Sequence, residues 1–174
     1  MADRKRNILI TGFPGVGKTT LITKLAERLT PFSPAGFYTT EIRDGGVRKG
    51  FELVSLDGRK GVLSHVNIKS KYRVGKYGVD VAGFEAFLDT IDFLNPKTGL
   101  IMIDEIGKME CFSGEFQNLL HSLLDADKLL VATIARKAGG IIEEIKRRPD
   151  VTLLEITAGN RDSLVTRVMA LVEK

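Results

Sequence analysis

The stretch Gly12-Phe13-Pro14-Gly15-Val16-Gly17-Lys18-Thr19 decides how the rest of the chain is interpreted. It fits the pattern G-x-x-x-x-G-K-[ST], whose glycines let the backbone curl so that successive N–H groups face inward and gather anionic oxygens. An apolar strand at residues 7–11 precedes it, and a helix with apolar residues at helical spacing follows at residues 18–29. The pattern predicts a phosphate-binding loop (a Walker A motif) at a helix N-terminus; the alternative is a glycine-rich turn with an incidental lysine.

Within this loop, two side chains have distinct expected roles. Lys18 would reach the β- and γ-phosphates of a nucleotide, and Thr19 would supply a hydroxyl ligand to Mg²⁺. The residues expected to bind nucleotide are Gly12, Phe13, Pro14, Gly15, Val16, Gly17, Lys18, Thr19 and Thr20.

A second motif is the acidic pair Asp104-Glu105, which follows the apolar run at residues 100–103. At the C-terminal end of a central strand, Asp104 would lie beside the phosphate loop and hold Mg²⁺ through a water, as in a Walker B motif. Glu105 would orient or deprotonate the water that attacks the γ-phosphate. The alternative is that both carboxylates merely begin a solvated loop.

The apolar strand at residues 129–133 ends in Thr133, which would touch the γ-phosphate or the attacking water as a sensor. A threonine that simply ends a strand is the alternative. Arg136 and Lys137 follow closely, and either would stabilise charge on the transferred phosphoryl group unless it is only a surface cation.

Strands and helices alternate along the chain, which predicts a single α/β domain over residues 1–174 with a mostly parallel sheet and helices on both faces. Two glycine-containing turns predict an antiparallel hairpin insertion at about residues 36–64, followed by a basic, irregular stretch at 65–82. Further helices are expected at 83–94, 115–124, 140–148 and 162–172, and a last strand at 151–156.

Composition narrows the class of protein. The 174 residues are 43% hydrophobic and 28% charged, and no apolar run approaches the ~20 residues of a membrane span. The charged N-terminus lacks a secretory signal, and the single cysteine, Cys111, suits a reducing compartment, so we expect a cytoplasmic protein. The net charge of +4 favours anionic ligands without distinguishing nucleotides from nucleic acid.

Three segments together resemble the small THEP-type nucleoside-triphosphatases. They are the phosphate loop with Thr20, the string Ile103-Asp104-Glu105-Ile106-Gly107-Lys108-Met109-Glu110, and the late element Thr157-Ala158-Gly159-Asn160-Arg161. The resemblance extends over residues 7–174, and the middle string is its most specific part.

This resemblance implies a three-layer P-loop NTPase fold with a RecA/AAA-like core, in which the Thr133 strand lies between the Asp104 strand and the first strand. It implies slow, Mg²⁺-dependent hydrolysis of ATP, GTP and other triphosphates to diphosphate and phosphate. It also places Asn160 and Arg161 near the base, where an arginine plane stacking on any base would suit broad tolerance. Lys108 and Glu110 are carried over without an assigned role.

Three hypotheses about function follow. The first is a monomeric nucleoside-triphosphate hydrolase, and the second is a kinase that passes the γ-phosphoryl group to a nucleotide, nucleoside or RNA hydroxyl. The third is a nucleotide-dependent binding module for RNA or a protein, in which the basic, tyrosine-containing stretch at residues 69–77 would contact a polynucleotide. A solvated loop docked by its tyrosines is the alternative for that stretch.

Overall fold

A computed structural model describes residues 6–174; Met1 to Lys5, and with them most of the charged N-terminus, lie outside the described part. The strands are β1 (Asn7–Thr11), β2 (Pro34–Asp44), β3 (Val47–Ser55), β4 (Lys60–His65), β5 (Arg73–Val74), β6 (Tyr77–Val79), β7 (Leu100–Ile106), β8 (Leu129–Ile134) and β9 (Val151–Glu155). The helices are α1 (Lys18–Arg28), α2 (Val81–Asp89), α3 (Gly114–Asp125), α4 (Gly140–Lys146) and α5 (Arg161–Val172). Among residues 6–174, no helix is long and apolar enough to cross a membrane.

The strands form one sheet in the order β5-β6-β4-β3-β2-β7-β8-β1-β9. The half from β2 to β9 is parallel, whereas β3, β4, β5 and β6 are antiparallel. The predicted α/β fold with a mostly parallel sheet is confirmed. The Thr133 strand, β8, lies between β7 and β1, which brings the carboxyl end of the Asp104 strand close to the phosphate loop.

Helices cover both faces of the sheet, and each face has its own apolar core. Alternate residues of β7 divide between them, because successive side chains of a strand point to opposite faces. Ile101 and Ile103 pack in the core formed with α2, α3 and α4, whereas Leu100 and Met102 pack in the core formed with α1 and α5. These two cores hold the loops at the carboxyl edge of the sheet in fixed positions.

Several predicted boundaries were wrong. The antiparallel part runs beyond residue 64 to Val79, because the stretch expected to be irregular contains the short strands β5 and β6. The helix predicted at 83–94 spans Val81–Asp89, since the Asp80 side chain accepts a hydrogen bond from the Gly83 N–H and caps its start. β7 continues to Ile106, so the acidic pair lies within the strand.

We expect Phe116→Ala to lower the free energy of unfolding by about 3–5 kcal/mol, because it leaves a cavity in the core. The Phe116 ring is fully buried and packs edge-on against Phe84 at 5.1 Å and Phe37 at 6.4 Å between ring centroids. Chemical denaturation measures the change. Leu94→Ala is the control, since Leu94 is 49% exposed and its loss should cost much less; equal effects would contradict this packing.

Candidate active site

The phosphate loop has the curled backbone that its glycines predict. Gly15 and Gly17 have φ values of 76° and 110°, which residues with a Cβ rarely adopt. Gly17 is the N-cap of α1, and among residues 6–174 no side chain caps this end and no acidic residue occupies its first turn. The first N–H groups of α1 are therefore available to phosphate oxygens, and the helix dipole adds positive partial charge.

Lys18 lies folded back on the loop from which it arises. Its Nζ donates hydrogen bonds to the carbonyl oxygens of Gly12 at 2.9 Å and Phe13 at 3.2 Å. An ammonium has three N–H donors, so one remains for a ligand even while both contacts persist. The side chain is thus held beside the nest of backbone N–H groups.

Asp104 is the meeting point of three elements. Its Oδ2 accepts a hydrogen bond from the Thr19 hydroxyl at 2.8 Å, and its Oδ1 accepts one from the Thr133 hydroxyl at 2.6 Å. The Thr39 N–H of β2 also points to Oδ2, at 3.5 Å. Burial raises the pKa of the Asp104 carboxyl, and these hydrogen bonds and the charge of Lys18 oppose that rise.

The Thr19 hydroxyl and the Asp104 carboxylate suit a magnesium site. Mg²⁺ prefers oxygen ligands and typically takes only one or two protein groups, with waters and phosphate oxygens completing its shell. The 2.8 Å hydrogen bond brings the two candidate ligand oxygens, one from each side chain, together beside the phosphate loop. No cluster of three or more His, Cys, Asp or Glu side chains occurs within the described residues, so a cage made of protein alone is absent there.

Glu105 shares a cleft with the phosphate loop. The cleft has a volume of about 480 Å³, and Lys18, Thr19 and the half-buried Glu105 line it. Burial raises the pKa of the Glu105 carboxyl; the Lys18 charge lowers it and the Asp104 charge raises it further. The structure therefore brings four predicted residues together: Lys18, Thr19 and Glu105 line the cleft, and Asp104 is hydrogen-bonded to Thr19.

Thr133 does not point freely at a phosphate, because its hydroxyl is buried and donated to Asp104. In this arrangement it orients the carboxylate. A hydroxyl also has acceptor capacity, so a contact with water remains compatible with the bond. The sequence did not predict the contact from the Thr39 N–H, because no motif marks β2 as a neighbour of Asp104.

Arg161 lies on the other side of the phosphate loop. A cavity of about 310 Å³ is lined by Gly17, Thr20, Lys24 and Arg161. The Arg161 Cδ lies 4.0 Å from the position that a Cβ on Gly17 would occupy. The late element thus meets the start of α1, and Lys24, which the sequence did not single out, joins it there.

Asn160 is used within its own loop. Its Oδ1 accepts a hydrogen bond from the Thr157 N–H at 2.7 Å, and its Nδ2 donates to the Glu155 carbonyl at 2.8 Å. These bonds close the turn that begins α5. Asn160 therefore shapes the loop that presents Arg161.

The cations after β8 have different surroundings. The Arg136 guanidinium lies over the ring of Phe13, 3.9 Å from the ring centroid, and Phe13 is 57% exposed. Its Nε also lies 3.8 Å from a Glu155 carboxylate oxygen. Arg136 is thus stacked on the phosphate loop itself, whereas Lys137 is exposed.

The tyrosines of the basic stretch are packed into the protein. Tyr72 lies against Phe112 with ring centroids 5.2 Å apart, and Tyr77 is buried against Phe51. The Tyr77 hydroxyl accepts a hydrogen bond from Arg48 at 2.9 Å. These contacts favour the interpretation of residues 69–77 as a loop docked by its tyrosines.

Glu110 is a buried carboxyl for which the sequence suggested no chemistry. It is 5% exposed, and the hydrogen bonds that act on its carboxyl come from the backbone of Gly107 and of Glu110 itself. A Cβ on Gly107 would lie 2.9 Å from a Glu110 oxygen and 3.0 Å from a Glu105 oxygen. Burial, with the nearby Glu105 charge, raises the pKa of Glu110 to about 8.

We expect Glu110→Gln to remove a pH dependence of stability. Because folding raises this pKa, the contribution of Glu110 to stability is fully present below its unfolded pKa, near 4.5, and is lost as pH rises through about 8. The stability of the Gln variant relative to the wild type should therefore increase by up to about 1.4 kcal/mol per pH unit between pH 5 and 8. Denaturant unfolding at several pH values measures this difference.

Glu27→Gln is the matched control, because Glu27 is exposed on α1 and its loss should leave the pH dependence of unfolding as in the wild type. A constant difference between Glu110→Gln and the wild type from pH 5 to 9 would show that Glu110 is ionised throughout.

Comparison with known proteins agrees with this geometry. The sequence profile of a family described as NTPase matches residues 7–169. The chain is 42% identical over 167 residues to "Nucleoside-triphosphatase THEP1" of Thermotoga sp. (strain RQ2), covering 95% of each chain.

Two solved structures are similar along nearly their whole length. The crystal structure of THEP1 from Aquifex aeolicus superposes with a TM-score of 0.88 at 39% identity, covering 97% of this chain and 99% of that one. The solution structure of a human cancer-related nucleoside triphosphatase gives a TM-score of 0.80 at 38% identity, covering 96% and 97%. The resemblance based on three sequence segments is thus confirmed. The chain belongs to the NTPase family and is similar to these nucleoside-triphosphatases over nearly its whole length.

Proposed function

We propose that this protein is a Mg²⁺-dependent nucleoside-triphosphatase that cleaves the bond between the β- and γ-phosphates and releases diphosphate and phosphate. The observation that carries the proposal is the cleft shared by Lys18, Thr19 and Glu105, with Asp104 hydrogen-bonded to Thr19 beside it. All of these residues come from one chain, which suits a monomer. The names of the similar proteins support the same activity.

Binding comes first. The backbone N–H groups of residues 12–20 surround the phosphates, and the Nζ of Lys18 exchanges part of its carbonyl contacts for phosphate oxygens. Thr19 and Asp104 would hold Mg²⁺, which when bound would neutralise charge on the phosphate oxygens. Mg²⁺ needs the ionised carboxylate, so metal affinity rises with pH through the pKa of Asp104.

Hydrolysis then depends on Glu105. Its carboxylate orients a water in line with the γ-phosphorus and accepts the proton as the new P–O bond forms and the bond to the β-bridging oxygen breaks. The raised pKa of Glu105 makes it a better proton acceptor than a solvated carboxylate. Thr133 keeps Asp104 in position through its hydrogen bond, as a positioning residue.

The cavity between α1 and the start of α5 leads us to expect broad base tolerance. Its flat guanidinium, Arg161, and its exposed amine, Lys24, offer stacking and charge without a fixed pattern of donors and acceptors. Such a surface accepts purines and pyrimidines alike, so ATP, GTP and other triphosphates are all expected substrates. Asn160 acts through the loop that presents Arg161.

The decisive experiment is phosphate release from a panel of triphosphates with Mg²⁺ and with a chelator. We expect Glu105→Gln to bind nucleotide like the wild type and to release phosphate at least about tenfold more slowly, because the Gln amide cannot accept the proton. Fluorescent-nucleotide titration measures binding separately from turnover.

Lys18→Ala is the comparison variant. It should lose both binding and turnover, because the ammonium that contacts the phosphates is removed. Turnover of Glu105→Gln equal to that of the wild type would remove Glu105 from its role. Phosphate release that persists in the chelator would remove Mg²⁺ from the proposal.

We expect Arg161→Ala to raise KM for ATP, GTP, CTP and UTP by similar factors of about 5 to 30, with a smaller change in kcat, since stacking contributes roughly 1–2 kcal/mol. Steady-state kinetics on the four substrates measures the factors. Asp162→Ala, next to it in the same cavity, is the control for local disturbance. An effect on one base alone would mean that Arg161 reads base identity.

A further inference from the structure

The cleft beside the phosphate loop extends past the residues proposed for hydrolysis. Its volume is about 480 Å³, and residues outside the loop line part of it. The far wall is formed by β2 and β3, which contribute Thr40, Glu41, Arg48 and Phe51. None of these four residues has a part in the proposed hydrolysis.

Arg48 is the cation of this far wall, and it is held in place. Its Nε donates to the Tyr77 hydroxyl at 2.9 Å, and its Nη1 donates to Glu41 at 3.0 Å. The guanidinium also lies 5.1 Å from the centroid of the Phe51 ring. Its side chain is nevertheless 43% exposed, and its Nη2 has no hydrogen-bond partner within residues 6–174.

The charge on Arg48 is only partly neutralised. Glu41 is its acidic partner, but the same carboxylate also accepts a hydrogen bond from Arg43 at 2.7 Å. One negative charge is therefore shared by two guanidinium groups, so the three side chains together carry a net positive charge, and Arg48 is the one of these two cations that lines the cleft. Arg48 retains N–H donors in the planar arrangement that suits a phosphate group.

We propose that Arg48 forms a second phosphate subsite, which binds the phosphate group of another ligand in the cleft while a nucleotide occupies the phosphate loop. This proposal rests on the proposed function, because that function supplies the nucleotide in the phosphate loop. Two sources share this chemistry: the phosphate released by hydrolysis, and the phosphate of a nucleoside monophosphate that accepts the γ-phosphoryl group.

The acceptor source leads to a balanced transfer. An oxygen of the monophosphate forms a bond to the γ-phosphorus, the bond from that phosphorus to the β-bridging oxygen breaks, and two diphosphates result. The attacking phosphate is already ionised, so this step needs no proton acceptor. Phe51 beside Arg48 offers an apolar surface for the remainder of the ligand.

The test is equilibrium dialysis of protein saturated with Mg·ADP against radiolabelled orthophosphate and, separately, radiolabelled AMP. We expect the wild type to bind at least one probe and Arg48→Gln to bind it at least about tenfold more weakly, because a charge-assisted contact is lost. Arg73→Gln is the matched control: it makes the same charge change on the antiparallel part, and Arg73 bonds only to backbone carbonyls away from the cleft.

Three outcomes would overturn the subsite: neither probe binds the wild type, Arg48→Gln binds as well as the wild type, or both arginine variants weaken binding equally. If Arg48→Gln proves unstable, the Nε–Hε NMR signals of the wild type decide the question. The Arg48 signal should shift with the probe while the Arg73 signal stays unchanged, and an unshifted Arg48 signal refutes the subsite.

Transfer of label then distinguishes the two sources. Radiolabel from γ-labelled ATP that appears in ADP when AMP is added identifies an acceptor, whereas binding of orthophosphate in the dialysis together with no labelled ADP identifies the hydrolysis product as the ligand. Because dialysis uses ADP, it reports on the subsite whether or not hydrolysis occurs. Phosphate release by the wild type with no probe bound would leave the proposed hydrolase intact and remove only the subsite.

Discussion

Two threonine hydroxyls converge on one buried carboxylate, and the rest of the site depends on that arrangement. Asp104 accepts hydrogen bonds from Thr19 at the start of α1 and from Thr133 on β8. These bonds connect the phosphate loop to two neighbouring strands of the parallel sheet. They also offset the cost of burying a carboxylate, which would otherwise favour its neutral form. These hydrogen bonds fix the positions of the expected metal ligands relative to the phosphate loop.

Acidic groups accumulate around this point. Asp104, Glu105 and Glu110 all have pKa values raised by burial, and the charge of Glu105 raises that of Glu110 further. Lys18 is the cation that lowers the pKa of the two nearer carboxyls. A bound divalent cation would act in the same direction. Positive charge therefore stabilises this site, and protonation of Glu110 lowers the negative charge that the site must hold.

The strand β2 gives the cleft its second wall. It pairs in parallel with β7 along one edge and in antiparallel with β3 along the other. The antiparallel strands therefore extend the same sheet and do not form a separate lobe. This continuity brings Arg48 of β3 to a cleft that also contains Lys18 of α1.

The sequence by itself determined the phosphate loop, the acidic pair and the alternation of strands and helices, because each is a local pattern whose spacing reflects backbone geometry. The resemblance of three short segments also identified the family. Only the tertiary structure decided that Thr133 binds Asp104, that Asn160 serves its own loop and that Glu110 is buried near Glu105. It also decided that the insertion extends to Val79 and faces the phosphate loop. Burial and pairing between residues far apart in the chain depend on how layers pack, and no local spacing encodes that.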